Sequence, residues 1–343
     1  MAVLSTLLHA TSFSRPFLST LVPSIALAYT IQGAVAIPSI LAQTERFYDL
    51  SGSLTYLSCV GLSLYLPTIR ARYAAQLAGA VKPAFPSILG ALSGANAAGL
   101  NWRQVALSAA VGVWAVRSSP PLKLPFTHPI HSGILPLRPD QRRQRHRLPL
   151  RRHPHLPPKF LGAFFAQATW VSLCLMPVLA LNSLPISTFA GLSGAVGITD
   201  LLGILLYVGG LGFEVTADRQ KNAWVQGKKE KKHSEDFLTR GLWSKSRHPN
   251  YFGEATLWTG IATLSAGVLM SGPGQVGMGL AGWGVLGKVA AGGMAGVSPA
   301  FVSFLLLKVS GVPMSEGKYD KRYGDRKDYK RWKEGTPMFV PKL

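Results

Sequence analysis

The chain has 343 residues, of which 48% are hydrophobic and only 15% are charged, and its formal net charge is +21 at pH 7. This length would permit two soluble domains, but so few and such clumped charges argue for a polytopic membrane protein. In a soluble chain the positive charge would suggest nucleic acid as a partner. Here the Lys and Arg residues fall in loops between apolar runs, so we expect membrane lipid and no nucleic acid.

Long charge-free runs predict the fold. No charged residue occurs in 16–44 or 51–69, and a helix of about 20 apolar residues crosses a bilayer core. Further charge-free runs cover 160–199, 255–287 and 289–307. We therefore predict an all-α fold, a polytopic transmembrane helical bundle of about seven spans. The first run lacks a small-residue cleavage site, which favours a retained helix over a signal peptide.

Three regions follow from these runs. Residues 1–117 are predicted to form N-terminal transmembrane helices, 118–158 an anomalous segment rich in Pro, Arg and His, and 159–343 a C-terminal transmembrane domain. Cys59 and Cys174 both lie in apolar runs, where they act as small hydrophobic residues. The sequence therefore predicts neither a disulfide framework nor a metal site.

The anomalous segment has an unusual composition. From residue 135 to 158, every position except Asp140 is Leu, Pro, His, Gln or Arg, the amino acids whose codons begin with C. In a gene that prefers C at the third codon position, a reading-frame slip gives this composition, so translation in a wrong frame is our leading hypothesis. A basic loop that attracts anionic lipid and a Pro-rich disordered linker are the alternatives. For 118–158 we expect little regular structure and few buried contacts.

An acidic pair, Glu214 and Asp218, ends the next apolar run. Because residues four apart share one helix face, both side chains are predicted to project into the same polar cavity. Carboxylates in such a place can bind ribose hydroxyls. The alternative is a pair of interfacial carboxylates that is neutralised by Arg219 or Lys221.

The stretch GLWSKSRHPNYFGE places a basic turn directly before another apolar run. Arg247 and His248 can contact phosphate, for which the fork of an Arg is well suited. Pro249 is predicted to begin a helix, which places Asn250 in its first turn, able to bond a nicotinamide carboxamide or a ribose hydroxyl, with Glu254 on the same face. The alternative is that the basic residues only anchor a helix at the lipid headgroups.

A second polar block, SGVPMSEGKYDKRYGDRKDYKRW, follows the last apolar run. It contains Glu316, Arg322, Tyr323 and Tyr329, and a tail that folds back would close a cofactor cavity. The tyrosines can stack on a base or bond a phosphate, although tyrosines are also common at membrane interfaces without any ligand. Residues 219–247 and the tail are both rich in Lys and Arg, which predicts that the loop and the C-terminus face the cytosol.

The three blocks together, over roughly residues 200–343, resemble the steroid 5-alpha-reductase C-terminal-domain family, in its DUF1295 branch. The RHPNY core alone is also similar to sterol reductases and to isoprenylcysteine or phospholipid methyltransferases. In reductases of this superfamily the acidic stretch carries an Asn and an Asp that contact the cofactor; Asp218 matches, while Glu214 replaces the Asn. The resemblance implies cofactor contacts at Glu214, Asp218, Arg247, His248, Asn250, Tyr251, Glu254, Glu316, Arg322, Tyr323 and Tyr329.

The function implied is an integral membrane oxidoreductase, expected in the endoplasmic reticulum, that reduces an activated C=C bond of a lipidic substrate with NADPH. In the family a Tyr or Glu of the N-terminal half polarises the substrate carbonyl. No matching motif identifies that acid here, although Tyr48, Tyr56 and Tyr65 lie near a suitable depth. The alternatives are a membrane methyltransferase that uses S-adenosylmethionine, and an inactive relic.

Overall fold

A computed structural model describes residues 2–42, 44, 47–93, 99–117, 156–192 and 196–342. These residues are helical and contain no strand, which confirms the predicted all-α class. Their thirteen α-helices, numbered in chain order, are α1 (Ala2–Ala10), α2 (Leu18–Leu41), α3 (Tyr48–Leu77), α4 (Ile88–Leu92), α5 (Trp102–Arg117), α6 (Leu156–Asn182), α7 (Ile186–Ala190), α8 (Ile198–Lys229), α9 (Pro249–Leu269), α10 (Gly272–Met278), α11 (Val285–Phe304), α12 (Val312–Tyr323) and α13 (Lys327–Gly335). Short 3-10 turns cover Gly241–Ser244 and Ala281–Trp283, and a π-turn, Leu305–Val309, joins α11 to α12.

Four segments are long and apolar enough to cross a membrane: α2, most of α6, α8, and the run from α11 through α12. Helices α9 and α10, which meet at an 87° bend, make a fifth candidate if they form one span. These lengths and compositions fit an integral membrane protein. The predicted count of about seven spans is not confirmed, because α3 is too polar and α5, with 16 residues, is too short to be counted.

Helix α6 is the centre of the bundle. It contacts α2, α3, α5, α9 and α11, and its residues Cys174, Leu175 and Val178 are completely buried. Its sequence is apolar on every side, which is typical of a helix that is surrounded by other helices. The bundle is therefore built around this one helix.

The first residue of α6 corrects one prediction. The helix begins at Leu156, so the last three residues of the segment 118–158 are helical and not irregular. Pro157 and Pro158 are compatible with this because they occupy the first turn, where a missing N–H removes no helical hydrogen bond. The rest of that segment, 118–155, lies outside the described residues.

Helices α8 and α9 form the most extensive helix pair in the described part of the chain. Glycines recur every seven residues along their contact, at positions 203 and 210 in α8 and at positions 253, 260 and 267 in α9. A Cβ on Gly210 would lie 2.5 Å from the Leu257 nitrogen. A Cβ on Gly253 would lie 2.6 Å from the Glu214 nitrogen. Small residues allow this backbone approach, which places the acidic end of α8 against the first turns of α9.

The opposite end of α8 holds a buried ion pair with α5. The Nε of Arg103 donates to Asp200 Oδ1 at 2.8 Å, and its Nη2 donates to Oδ2 at 2.6 Å. Asp200 also accepts the N–H of Gly197 at 2.8 Å, which caps the start of α8. Both oxygens of this carboxylate are therefore satisfied. We call this the far end, and the region where Glu214 and Asp218 of α8 face the first turns of α9 the site end.

Candidate functional site

The 3-10 turn before α9 is fastened to α8. Gly241 has a φ of 63°, a conformation that favours glycine. The side chain of Gln220 accepts the N–H of Leu242 at 2.8 Å, and the indole N–H of Trp243 donates to the Ala217 carbonyl at 3.0 Å. These contacts set the direction in which the chain enters residues 245–248, which we call the basic turn.

The basic turn pairs with the C-terminal tail. The N–H of Arg247 donates to the Pro337 carbonyl at 2.9 Å, and the Ser246 hydroxyl donates to the Phe339 carbonyl at 2.8 Å. Pro249 then begins α9 as predicted. The turn and the tail therefore behave as one structural unit at the site end.

Glu316 of α12 is the centre of an ionic cluster in this unit. Its carboxylate lies 3.1 Å from Arg247 Nε, 3.1 Å from His248 Nε2 and 3.3 Å from Lys333 Nζ. Arg247 also donates through Nη1 to the Lys333 carbonyl at 2.8 Å. Arg247 is therefore held by the protein itself, which fixes its orientation and leaves only part of its guanidinium for a ligand.

His248 is 4% exposed, and its ring stacks on Tyr251 with a centroid distance of 5.1 Å and an interplanar angle of 3°. Burial lowers the pKa of His248 from its usual 6.5, and the nearby Glu316 carboxylate offsets part of this shift. The ring is therefore mainly neutral near pH 7, when it can donate one hydrogen bond and accept another.

A cavity opens beside the ionic cluster, with aromatic walls and cations at its rim. It is lined by Lys221, Trp224, Val225, Phe237, Leu238, Trp243, Arg247, His248, Ser315, Glu316, Tyr319, Tyr329 and Trp332. The ammonium of Lys221 lies 5.1 Å from the centroid of the Trp243 ring. Unlike Arg247, Lys221 forms no ion pair with a described carboxylate, so its charge is available to an anionic ligand.

A second charged cluster lies deeper in the bundle. Arg117, at the end of α5, pairs with Glu214 and lies 3.2 Å from Asp218. Glu254 of α9 lies in electrostatic range of Arg117 and Asp218, and these three carboxylates are each at most 2% exposed. The described contacts give these three carboxylates two cations, Arg117 and Lys221, of which Lys221 lies in electrostatic range of Asp218.

Several buried polar atoms near this cluster have no hydrogen-bond partner among the described residues. Three of them lie on α9, namely Asn250 Oδ1, Glu254 Oε2 and Trp258 Nε1. The buried Tyr56 hydroxyl of α3 lies nearby, in hydrogen-bonding contact with the Cys174 thiol of α6. The Tyr56 and Trp258 rings are 6.3 Å apart, and Tyr56 lies in electrostatic range of Glu254. Because buried polar groups are usually hydrogen-bonded, these atoms mark a polar passage into the apolar core.

Some residues that the resemblance implied lie elsewhere. Tyr329 lines the cavity and donates to Asp320 at 2.8 Å. Tyr323 does not line the cavity itself but packs behind its wall, against Phe237 and Tyr329. Arg322 is exposed, with its guanidinium 5.2 Å from the Tyr323 ring. The structure therefore does not bring Arg322 to the cavity, because it falls on the outer face of α12.

Tyr48, Tyr56 and Tyr65, the three tyrosines that were expected at a suitable membrane depth, lie in different surroundings. Tyr48 donates to the Ala163 carbonyl at 3.2 Å, and Tyr65 packs in a small apolar cluster around Leu64. Of these three, only Tyr56 lies beside Glu254.

Sequence reasoning did not place Lys221, Trp224 and Trp332 in the cavity or Arg117 between the two carboxylates of α8. A signal existed for Lys221, since it lies three residues after Asp218 and so shares its helix face. Trp332 reaches the cavity only because the tail folds back. Arg117 carried no signal, because it stands at the edge of the anomalous segment and meets its partners through tertiary packing.

The fold and these clusters define a helical integral membrane protein with a polar site at one end of its bundle. A family model described as "Protein of unknown function (DUF1295)" matches residues 70–336, and the chain therefore belongs to the DUF1295 family. The matched region contains the α8–α9 pair, the basic turn and Glu316. No curated protein and no solved structure matches this chain.

Proposed function

We propose that the protein is a membrane oxidoreductase that reduces an activated C=C bond of a lipidic substrate with NADPH. One observation carries this proposal: the aromatic, cation-lined cavity lies next to a buried carboxylate cluster that leads into the apolar core. A water-soluble nucleotide and a membrane-dissolved substrate can meet at such a junction. The resemblance of the motif blocks to the steroid 5-alpha-reductase C-terminal domain supports the same reading.

The cavity fits the polar half of a dinucleotide. Lys221 forms no ion pair with a described carboxylate and interacts with Asp218 only at longer range, so it can bind a phosphate. Arg247 is oriented by Glu316 so that its remaining N–H groups can add to the contact. The surrounding Trp and Tyr rings offer faces on which a base can stack. NADPH, when bound, supplies the hydride, and the protein supplies position and charge.

The deeper cluster fits the sugar and ring amide that follow the phosphates. Glu214 Oε2 has no hydrogen-bond partner among the described residues, so it can accept a hydrogen bond from a ribose hydroxyl. Arg117 holds Glu214 and Asp218 together and limits their mutual repulsion. We assign Tyr56 as the acid that polarises the substrate, because its hydroxyl lies buried beside this cluster and contacts the Cys174 thiol, which is only a weak hydrogen-bonding group.

A second candidate is a membrane methyltransferase that uses S-adenosylmethionine. The observation in its favour is the excess of carboxylates over cations around Arg117, since a buried negative cluster attracts a sulfonium cation. The cations at the rim of the cavity have no role in that reading, because S-adenosylmethionine carries no phosphate.

For either activity we propose that the site end faces the cytosol and that the membrane is that of the endoplasmic reticulum. The Lys and Arg residues of the loop 219–247 and of the tail support this orientation through the positive-inside rule. The substrate would enter from the bilayer, and lipid would cover the exposed apolar helix faces.

Equilibrium binding of NADPH and of S-adenosylmethionine to the purified full chain tests the assignment. We expect saturable NADPH binding that weakens about tenfold or more in Lys221→Ala, because a charge-assisted contact is lost. Lys229→Ala is the matched control, since Lys229 lies on the same helix, is exposed and does not line the cavity. Binding of S-adenosylmethionine alone would reject the reductase, and binding of neither ligand would reject both activities.

A further inference from the structure

One face of α9 carries polar atoms where an apolar face would be expected. Asn250, Glu254 and Trp258 are four residues apart, so they follow one another along the helix at intervals of about 6 Å. Each is at most 7% exposed, and each has a polar atom without a hydrogen-bond partner among the described residues. The column begins at Asn250 in the first turn of α9, directly after the basic turn. It ends beside Tyr56, whose ring lies 6.3 Å from that of Trp258.

Such a column is costly unless something polar contacts it. A buried donor or acceptor that is left unsatisfied costs about 1 to 3 kcal/mol, and polar groups inside a membrane bundle are usually functional. The polar atoms of the column are of different kinds. Asn250 Oδ1 accepts a hydrogen bond, Trp258 Nε1 donates one, and a carboxyl or a phenol can do both. Water is the partner that matches a mixed series of this kind.

The charged groups around Glu254 determine whether its carboxyl is protonated or ionised. Its charged or titratable neighbours on the packed elements are Arg117 of α5, Asp218 and Glu214 of α8, Tyr251 of α9, Tyr56 of α3 and Cys174 of α6. The only cation among them, Arg117, is already paired with both carboxylates of α8. An ionised Glu254 would add a third carboxylate to this buried cluster, whose guanidinium is already shared, in a medium of low dielectric constant, which is unfavourable.

We propose that this column is a proton path and that Glu254 holds the proton that Tyr56 uses. The path runs from the basic turn past Asn250 to Glu254, and from there past Trp258 to the Tyr56 hydroxyl, with water molecules between the side chains. Its purpose rests on the proposed reductase function, since reduction of a C=C bond consumes one proton for every hydride.

The proton transfer balances as follows. The substrate takes a hydride at one carbon and a proton from the Tyr56 hydroxyl at the other end of the activated system. The Tyr56 phenolate then regains a proton from Glu254 through water, and the Glu254 carboxylate is reprotonated from solvent past Asn250. The protein returns to its starting state, and one solvent proton has been consumed.

Infrared spectroscopy of the full chain in phosphatidylcholine nanodiscs tests the path without requiring turnover. At pH 7 we expect the absorption band of a protonated carboxyl that is absent from Glu254→Gln and moves to a different frequency in Glu254→Asp, the variant that keeps the acid. On transfer to heavy water the wild-type band shifts as the proton exchanges, and Asn250→Leu slows that shift at least tenfold. Asn222→Leu, a matched change on α8 outside the column, leaves the shift rate unchanged.

Three results would overturn the proposal: no protonated-carboxyl band at pH 7, a band that persists in Glu254→Gln, or exchange in Asn250→Leu as fast as in the wild type. A kinetic comparison separates it from the proposed function. If the protein reduces a substrate, Glu254→Gln lowers kcat by about a hundredfold or more and leaves the Kd of NADPH within about twofold, whereas a pure cofactor contact would reverse this pattern. If the wild type binds no NADPH, the reductase proposal fails, and the infrared result still decides whether the path exists.

Discussion

Helix α8 carries buried carboxylates in its first turn, at the far end, and near its middle, facing the site end, and these two groups are bonded differently. At the far end, both oxygens of Asp200 are bonded by Arg103 and by the N–H of Gly197. At the site end, Glu214 and Asp218 share the guanidinium of Arg117, while Glu254 on the neighbouring helix keeps an oxygen without a partner in the described chain.

This difference separates a structural ion pair from a site that is built for something else. A fully bonded pair contributes orientation and is costly to break. A cluster that remains unsatisfied in the folded protein stores a cost that a ligand, a proton or water can relieve. We infer that the far end fixes the bundle and that the site end is kept incomplete for chemistry.

The largest effect should come from breaking the far end. Arg103→Ala leaves Asp200 as an uncompensated buried charge and should lower the free energy of unfolding by about 3 to 5 kcal/mol. Denaturant titration in mixed micelles measures this loss. The double variant Arg103→Met/Asp200→Leu should recover most of it, because it removes both charges; no recovery would show that the pair acts through packing alone.

A somewhat smaller effect should follow from forcing helices α8 and α9 apart at their glycine contact. Gly253→Leu places a side chain where even a Cβ lies 2.6 Å from the Glu214 nitrogen, and such overpacking costs about 3 kcal/mol. Gly209→Leu is the control, since Gly209 of α8 faces open space. Equal yields of folded protein from both variants would contradict the tight α8–α9 contact.

The fastening of the basic turn offers a third and smaller test, confined to the site end. Gln220→Ala removes the acceptor of the Leu242 N–H and should cost about 1 kcal/mol, with weaker NADPH binding because Arg247 and His248 are displaced. Gln226→Ala, at an exposed position of the same helix, should leave both properties unchanged. A loss of stability without any change in NADPH affinity would show that the turn does not position the site.

The smallest effect concerns pH. Because burial holds the pKa of His248 below its usual 6.5, the unfolded chain takes up this proton first as the pH falls. Stability from this residue is therefore fully present above about pH 6.5 and declines as the pH drops below that value through the folded-state pKa. Thermal unfolding between pH 7.5 and 5.5 should show the decline, and His248→Gln should reduce it; an identical decline in the variant would assign it to other groups.

Much of the fold could be predicted from the sequence because a bilayer constrains it strongly. Charge-free runs marked α2, α6 and α9, and Pro249 marked where α9 begins. The i, i+4 spacing of Glu214 and Asp218 placed both on one helix face, and the structure brings both to Arg117. Such features depend only on periodicity, which a single sequence displays.

The rest depends on contacts between distant parts of the chain. Arg103 and Asp200 are separated by 97 positions, and no local pattern relates them. The aromatic wall at Trp332 forms only when the tail returns to the basic turn. The glycine spacing in α8 and α9 was visible, but its meaning required knowing that these two helices are partners.

The central claim is that buried carboxylates at the far end serve the fold, whereas Glu254 at the site end serves chemistry. The most direct test compares the free energy of unfolding of Asp200→Asn and Glu254→Gln under identical conditions. We predict that Asp200→Asn loses about 3 kcal/mol because Arg103 loses its buried carboxylate partner, while Glu254→Gln is unchanged or gains up to about 1 kcal/mol. Equal losses in the two variants would contradict the account, because Glu254 would then be as structural as Asp200.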